Sequence, residues 1–413
     1  MAGGKLKVLQ INNVYNSGST GKIVHDLHDF LHGEGINSIV CYGRGQKVNE
    51  KNIYKTSSEF LAKFNALKSR ITGLQYNGSL IATNKLIKIL KKEKPDIVHL
   101  QCINGNFVNI YRLLSFLKVN KIKTVLTLHA EFMYTGSCDH AFNCPLWKTG
   151  CGNCPQLWKA TKSYKFDRTK TAWIKMKKAF EGFENLEIVA VSPWLKNRAK
   201  HSPIMNKYHF NVIPNGIDTN ATFKPTDFSS LKEKHCLKDE KILLHVTANF
   251  TLDKDDLKGG HYVVQLAKRL KSKNIKILVI GARDLSLELP DNIINVGRTY
   301  DQKELAAYYS MADLTILTSK RETYSMVCVE SLSCGTPVIG FKAGGPETIA
   351  LKKYTEFINF GDINKLESTV ITWINTKMNI ATNCIVKEAH EKYSKRNMGQ
   401  EYLNIYSELT EVE

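Results

Sequence analysis

The stretch LKVLQINNVYNSGSTGKIVHDL, Leu6–Leu27, sets the pattern for the whole chain. An apolar run ends at Ile11, a glycine turn with a lysine follows, and then a helical pattern begins. That order is a strand feeding a helix through a tight turn, the unit from which parallel sheets are wound. A nucleotide-hydrolase phosphate loop is one reading of it. Such a loop needs four residues between its two glycines, then Lys and Ser or Thr. Here two residues separate Gly18 from Gly21, and Lys22 is followed by Ile23. The spacing argues against that loop. N–H groups at a helix N-terminus can still receive an anion. A tight βα turn without a ligand is the alternative.

Outward from this stretch, short apolar runs alternate with helical patterns. KVLQI, SIVCY, DIVHL, TVLTLH, EIVAVS and HFNVIP form one series. KILLHVTA, IKILVIGA, NIINVG, DLTILTS and TPVIGF form a second. Continuous apolar strands with helices between them indicate parallel sheets covered on both faces. Between the series, NVIPNGIDTNATFKPTDF carries Pro214, Asn215, Gly216 and Pro225 as turn signals. The expected architecture is α/β: two doubly wound, Rossmann-like domains, 1–218 and 219–395, facing a central cleft. Ligands of open parallel sheets bind beyond the carboxyl ends of the strands.

The 413 residues suffice for two full cores. No apolar run reaches the length of a membrane span, and Lys5 and Lys7 interrupt any signal-peptide core. A cytoplasmic location is therefore expected, and ten cysteines there read as thiols or metal ligands. The net charge of +19 is unevenly spread. Residues 1–218 hold 32 Lys/Arg against 14 Asp/Glu, and residues 219–413 hold 26 against 25. A half that faces an anionic partner concentrates charge in this way.

In SKRETYSMVCVESLSCGTPVIGFKAGGPET, Ser319–Thr348, Glu322 lies in a turn and Glu330 follows eight residues later. The spacing predicts a helix from about Tyr324 to Cys334, with Gly335 as its stop. The unpaired first-turn N–H groups near Tyr324, Ser325 and Met326 could receive a phosphate. Glu322 and Glu330 could then accept from hydroxyls on either side of it. A dipole-favoured glutamate and a second one on a solvated face is the competing reading.

The Glu-x7-Glu pair before CGTPVIGFKAGGPE, with VIPNGID (Val212–Asp218), YYSMADLTILTS (Tyr308–Ser319) and LKGG (Leu257–Gly260), resembles the retaining family 4 glycosyltransferases of the GT-B fold. GSTGK near the start and TGSCDHAFNCPLWKTGCGNCPQL are similar to the bacterial members that build capsule, exopolysaccharide or O-antigen. The resemblance implies that Glu322 orients the donor sugar, Glu330 holds ribose hydroxyls and Lys258 pairs with the diphosphate. The arginine such families carry shortly before that lysine is absent from HVTANFTLDKDDLKGG, where Asn249 or Lys254 could substitute. Tyr324 and Ser325 replace the glycine that often follows the first glutamate. His129, ending TVLTLH, would lie near the reacting sugar, although Ala130 and Glu131 follow it instead of the usual Asp. The Gly18–Gly21 turn would close on the nucleotide sugar, and a last helix, 396–413, would cross back to the first domain.

Asp253–Asp256, DKDD, contains an Asp-x-Asp of the kind that holds a divalent cation on diphosphates in another glycosyltransferase fold. Here it reads as a solvated loop, with Lys258 and helix N–H groups in the metal's place, so no catalytic metal is expected. Cys138, Cys144, Cys151 and Cys154 crowd an insert, 131–158, following His129. Four thiolates could hold a structural zinc; free thiols, a cluster or disulfides are the alternatives.

Phe60, Phe64, Leu67, Ile71 and Leu74 recur at helical spacing among Lys63, Lys68 and Arg70. Ser163–Phe180 mixes Trp173, Ile174 and Met176 with lysines. Such stretches either pack on the first sheet or lie in an anionic bilayer interface. Nucleic acid is not expected, because no binding motif accompanies the charge. The expected activity is transfer of a hexose from a UDP- or GDP-sugar, with retention, to a glycan acceptor. That acceptor would be lipid-linked, at the inner face of the plasma membrane. A nucleotide-sugar epimerase or hydrolase, or a non-catalytic membrane-surface adaptor, are the rival readings.

Overall fold

The computed structural model describes residues 6–411, except 283, 285 and 378–380. Lys5, invoked above, lies outside them. The chain divides into two compact units, 1–214 with 398–413, and 215–397.

The first unit winds seven strands: β1 (Lys7–Asn12), β2 (Asn37–Tyr42), β3 (Ile53–Lys55), β4 (Ile97–Leu100), β5 (Lys123–Leu128), β6 (Leu186–Ala190) and β7 (Phe210–Val212). Their order in the sheet is β3-β2-β1-β4-β5-β6-β7. Every pairing is parallel, for example Val8 beside Ser38 on one flank and Ile97 on the other. The second unit has β8 (Lys241–Phe250), β9 (Ile275–Ala282), β10 (Ile293–Gly297), β11 (Leu314–Leu317), β12 (Val338–Phe341) and β13 (Thr355–Ile358), ordered β10-β9-β8-β11-β12-β13. It too is wholly parallel. Strands β4, β11 and β12 are buried along their whole length, which is why they read as unbroken apolar runs.

Helices cover the second sheet: Val263 and Leu266 from Gly260–Arg269, and Leu366 and Val370 from Ile363–Thr372, share one core with Ile277, Ile316 and Ile339. The helix Lys395–Glu411 enters the first unit at Met398. Its Tyr406 hydroxyl meets His99 Nδ1 at 2.6 Å and its Tyr402 hydroxyl meets Thr127 at 2.9 Å. Gly399 lets it approach, because a Cβ there would lie 2.4 Å from the Phe30 ring.

The strand order reverses between β1 and β4, and again between β8 and β11. A reversal opens a crevice at the carboxyl ends of its two strands, where ligands of such sheets bind.

Three local expectations differ from the structure. Strands β3 and β13 were not anticipated; both are edge strands of three and four residues, too short for a periodic signal. The helix expected from Tyr324 runs Met326–Ser333, because Ser325 serves as its N-cap and accepts from Cys328 N–H at 3.3 Å. The two amphipathic stretches part company. Helix Thr169–Phe180 buries Trp173 and Met176, whereas helix Glu59–Thr72 turns its apolar residues outward. Among the described residues no helix is long and apolar enough to cross a membrane.

Candidate active site

At the β8/β11 crevice of the second unit, two loops bring opposite charges together. The loop after β8 ends in Lys258, and the loop after β11 carries Glu322. Lys258 Nζ donates to Glu322 Oε1 at 2.8 Å. The carboxylate is 12% exposed and the lysine 41%, so the ammonium keeps contact with solvent. Ser319 Oγ donates to the same oxygen at 2.5 Å. Burial pushes the Glu322 carboxyl up, but the Lys258 charge and hydrogen bonds from Lys258, Ser319 and Ser325 outweigh it and hold the group below its ordinary value.

Backbone constraints set both residues. Lys258 N–H donates to Asp256 at 2.8 Å, and its carbonyl accepts from Thr318 Oγ1 at 2.8 Å. Gly259 follows at φ +67, where a Cβ would stand 2.3 Å from the Thr318 carbonyl oxygen. Glu322 bridges to the KAGGPE segment, donating N–H to Ala343 O at 3.0 Å and accepting from Gly345 N–H at 2.8 Å. A Cβ on Gly345 would meet Thr323 O at 2.4 Å. The Glu347 carboxylate closes that turn on the N–H groups of Ala343 and Gly344.

Helix Met326–Ser333 starts beside this pair. Its first-turn N–H groups at Met326 and Val327 have no intrahelical acceptor. Tyr324 precedes the helix, and its buried side chain donates to Asn215 O at 2.8 Å. Glu330, on the second turn, is partly exposed and accepts from the Tyr309 hydroxyl at 2.9 Å. His245 lies behind the pair. Burial first, with Lys258 nearby, lowers its imidazole to about 4, so it is neutral at pH 7.

Asn249 is exposed on a bulge of β8, its N–H on Thr247 Oγ1 at 3.4 Å. Lys254 is exposed as well. Arg298, which the sequence reading passed over, reaches this segment from the turn after β10 and donates to Ala248 O at 2.5 Å. Asp253 and Asp255 are exposed, and Asp253 accepts from Asp255 N–H at 2.9 Å, a local turn.

In the first unit, three uncharged side chains are linked near the ends of β4 and β5. His129 follows β5, and its Nε2 lies 2.8 Å from Gln101 Oε1. An amide oxygen only accepts, so Nε2 carries the hydrogen. Gln101 Nε2 donates in turn to Gln10 Oε1 at 3.3 Å. Burial holds His129 neutral, with its imidazole lowered to about 4. Glu131 turns away: fully buried, it pairs with Arg198 and accepts from the Tyr134 hydroxyl at 2.6 Å and Ala141 N–H at 2.5 Å. It anchors the insert. Gly18 begins helix Gly18–Gly33 at φ +63. Gly21 lies against Val14 and Asn16, and its carbonyl accepts from Asn16 N–H at 3.0 Å. Ser17 makes no side-chain cap, so the turn presents backbone donors.

The four cysteines of the insert are free thiols, and Cys144, Cys151 and Cys154 all enter the electrostatic surroundings of Cys138. Burial raises Cys151 to about 12. Among the described residues no three or more His, Cys, Asp or Glu converge to hold a metal ion.

The chain matches two family models. One, described as Glycosyltransferase Family 4, covers residues 20–221. The other, Glycosyl transferases group 1, covers 229–392. A putative colanic acid biosynthesis glycosyl transferase, WcaC, from Escherichia coli is 22% identical over 98% of this chain and all of its own length. The N-acetyl-alpha-D-glucosaminyl L-malate synthase of Bacillus anthracis is 31% identical over 41% of this chain and 45% of its own. Among solved structures, the sucrose-phosphate synthase of Thermosynechococcus elongatus superposes with a TM-score of 0.69 at 14% identity, covering 99% of this chain and 100% of that one. The lipopolysaccharide glycosyltransferase WaaG gives 0.65 at 12%, covering 97% and 99%. Together the two models span most of both units, and the chain belongs to the family 4 glycosyltransferases of the GT-B fold.

Proposed function

We propose that this glycosyltransferase moves a hexose from a UDP- or GDP-sugar to a glycan acceptor in bacterial surface polysaccharide synthesis, with retention of configuration. The observation that carries the reading is the Lys258–Glu322 pair, 2.8 Å apart, at the start of helix Met326–Ser333. A diphosphate gains negative charge as the glycosidic bond breaks, and a lysine with unpaired backbone N–H groups is suited to stabilise it. In this reading the anomeric C–O bond to phosphate breaks, a C–O bond to the acceptor hydroxyl forms, and the hydroxyl proton passes to the departing phosphate oxygen. No strong enzyme base is then required. Glu322, kept ionised, accepts from sugar hydroxyls; Glu330 accepts from the ribose; His129, kept neutral, bonds hydroxyls without adding charge.

The named relatives support the pathway and the donor class: WcaC is described for colanic acid, a Klebsiella pneumoniae relative lies in a cps region, and an Anabaena structural neighbour holds UDP-glucose. The acceptor is proposed to be lipid-linked, with the enzyme peripheral at the cytoplasmic face of the membrane. The test is thermal stabilisation by UDP, GDP, CMP and ATP, with and without EDTA, followed by transfer assays. Selective stabilisation by UDP or GDP that survives EDTA supports metal-independent transfer. Stabilisation by ATP alone, or rapid turnover of the sugar nucleotide without acceptor, overturns it.

A further inference from the structure

Helix Glu59–Thr72 is folded inside out. Phe60, Phe64, Leu67 and Ile71 lie at successive i+4, i+3 and i+4 steps, hence on one face. They are 77, 56, 45 and 52% exposed, while the helix buries Ala62 and Ser69. The helix is nonetheless well closed. Ser58 caps Leu61 N–H at 3.2 Å, and Gly73 ends it at φ +69.

A second segment extends this face. Tyr164 N–H donates to Arg70 O at 2.9 Å, and Gly73 packs against the Phe166 carbonyl. Tyr164 and Phe166 are both exposed, and Tyr164 stacks on exposed Trp158 at 5.6 Å. A contiguous apolar patch of this kind marks an interaction surface.

Its charges select the partner. Lys63, Lys68 and Arg70 are exposed on the helix, whose one acid, Glu59, is engaged by Arg44 at 2.9 Å. Around Tyr164 stand Lys162, Lys165 and Arg168, all exposed. The neighbouring acid, Asp167, is spent on the N–H groups of Cys154 and Thr169. A second copy of this chain would set like charges against each other. Nucleic acid would have no use for a Leu–Ile stripe. An anionic lipid surface takes both components, rings and aliphatic side chains at the acyl boundary and ammonium groups on the phosphates.

We infer that this face, from Phe60 to Trp158, docks the enzyme on an anionic bilayer. The inference deepens the proposed function by naming the surface that meets a lipid-carried acceptor, and it rests on that reading for its purpose only. The test is co-sedimentation of the full chain with phosphatidylglycerol-containing vesicles and with pure phosphatidylcholine vesicles. The wild type is expected on the first and not the second. Phe60→Ser/Phe64→Ser should weaken binding about ten-fold or more. Lys63→Gln/Lys68→Gln should weaken it about twenty-five-fold, at about five-fold for each charge. These exposed substitutions should leave the melting temperature and the stabilisation by UDP or GDP unchanged. Absence of wild-type binding to anionic vesicles, or binding indifferent to both pairs, overturns the inference. So does a dimer, or retention on single-stranded DNA, that Phe60→Ser/Phe64→Ser abolishes. Nucleotide response is read on the same samples, so its loss counts against the transferase reading and not against docking.

Discussion

At the β8/β11 reversal a lysine and a glutamate stand 2.8 Å apart, while in the other sheet Gln10 of β1, Gln101 after β4 and His129 after β5 form a chain of uncharged partners. The two crevices share a topology and differ in electrostatics. Burial explains part of the difference. A charge placed beside Gln10 and Gln101, both almost wholly enclosed, would carry the full cost of leaving water. Lys258 retains solvent contact, and Glu322 has three hydrogen-bond partners to offset its desolvation. A doubly wound sheet therefore fixes where a ligand sits, and the loops decide whether it is met by charge or by neutral dipoles.

Removing the charge from the second crevice is the most direct way to break this contrast. Lys258→Ala should lower kcat/KM for transfer by about 10²–10³, the range for losing one preorganised donor to a developing anion. Steady-state rates with the melting temperature as control measure it; near-wild-type turnover would remove the charged crevice from the mechanism. Glu322→Gln keeps the shape and removes the charge, and should cost about ten- to a hundred-fold in kcat. Stabilisation by nucleoside diphosphate should be retained, since the lysine is left unpaired.

Acid pH probes the neutral groups. Burial lowers His99 to about 3 and His245 to about 4, against 6.5 for an exposed imidazole. The unfolded chain takes up their protons first, so their contribution is whole above pH 6.5 and falls as pH drops towards 4. Each group is worth on the order of 3 kcal/mol across that window. Glu322, held below 4.5, acts in the same direction at lower pH. Thermal melts from pH 7.5 to 4 should show the midpoint falling below about 6.5, and His245→Gln should flatten part of the slope. A flat profile would show that these imidazoles are hydrated.

Two glycines sharpen the comparison further. Gly259 and Gly18 both have positive φ, +67 and +63. A Cβ on Gly259 meets the Thr318 carbonyl at 2.3 Å, while one on Gly18 meets nothing within 4 Å. Gly259→Ala should therefore destabilise by about 2–3 kcal/mol, from crowding added to backbone strain. Gly18→Ala should cost only about 1 kcal/mol, from conformation alone. Denaturant titration separates the two, and equal losses would deny the crowding.

The α/β architecture was legible because buried parallel strands leave unbroken apolar runs, as in DIVHL and DLTILTS. Strands β3 and β13 were not, since three or four edge residues carry no period. Lys258, Glu322 and Glu330 could be singled out from spacing and resemblance, and the first two meet in the structure. His245 and Gln101 could not, because their parts depend on contacts between segments far apart in the chain; Ser319 and Asp256 lie within three residues of their partners, but in loops that carry no period. Glu347 left a trace, three residues after Gly344 in GGPE, where a turn needs an acceptor. The outward face of helix Glu59–Thr72 was hidden for a different reason. Periodicity reports that a helix has an apolar side and is silent on which way that side points.

The helix Lys395–Glu411 makes the second unit an insertion within the first. His99 waits for a tyrosine 307 residues downstream. At common rates of translation that is roughly 15 to 60 s. During that interval the second unit can emerge and close, while the β4–β5 region of the first stays open at His99 and Thr127. The nascent chain thus has an order of completion opposite to its order of synthesis, and the unit made first is sealed last.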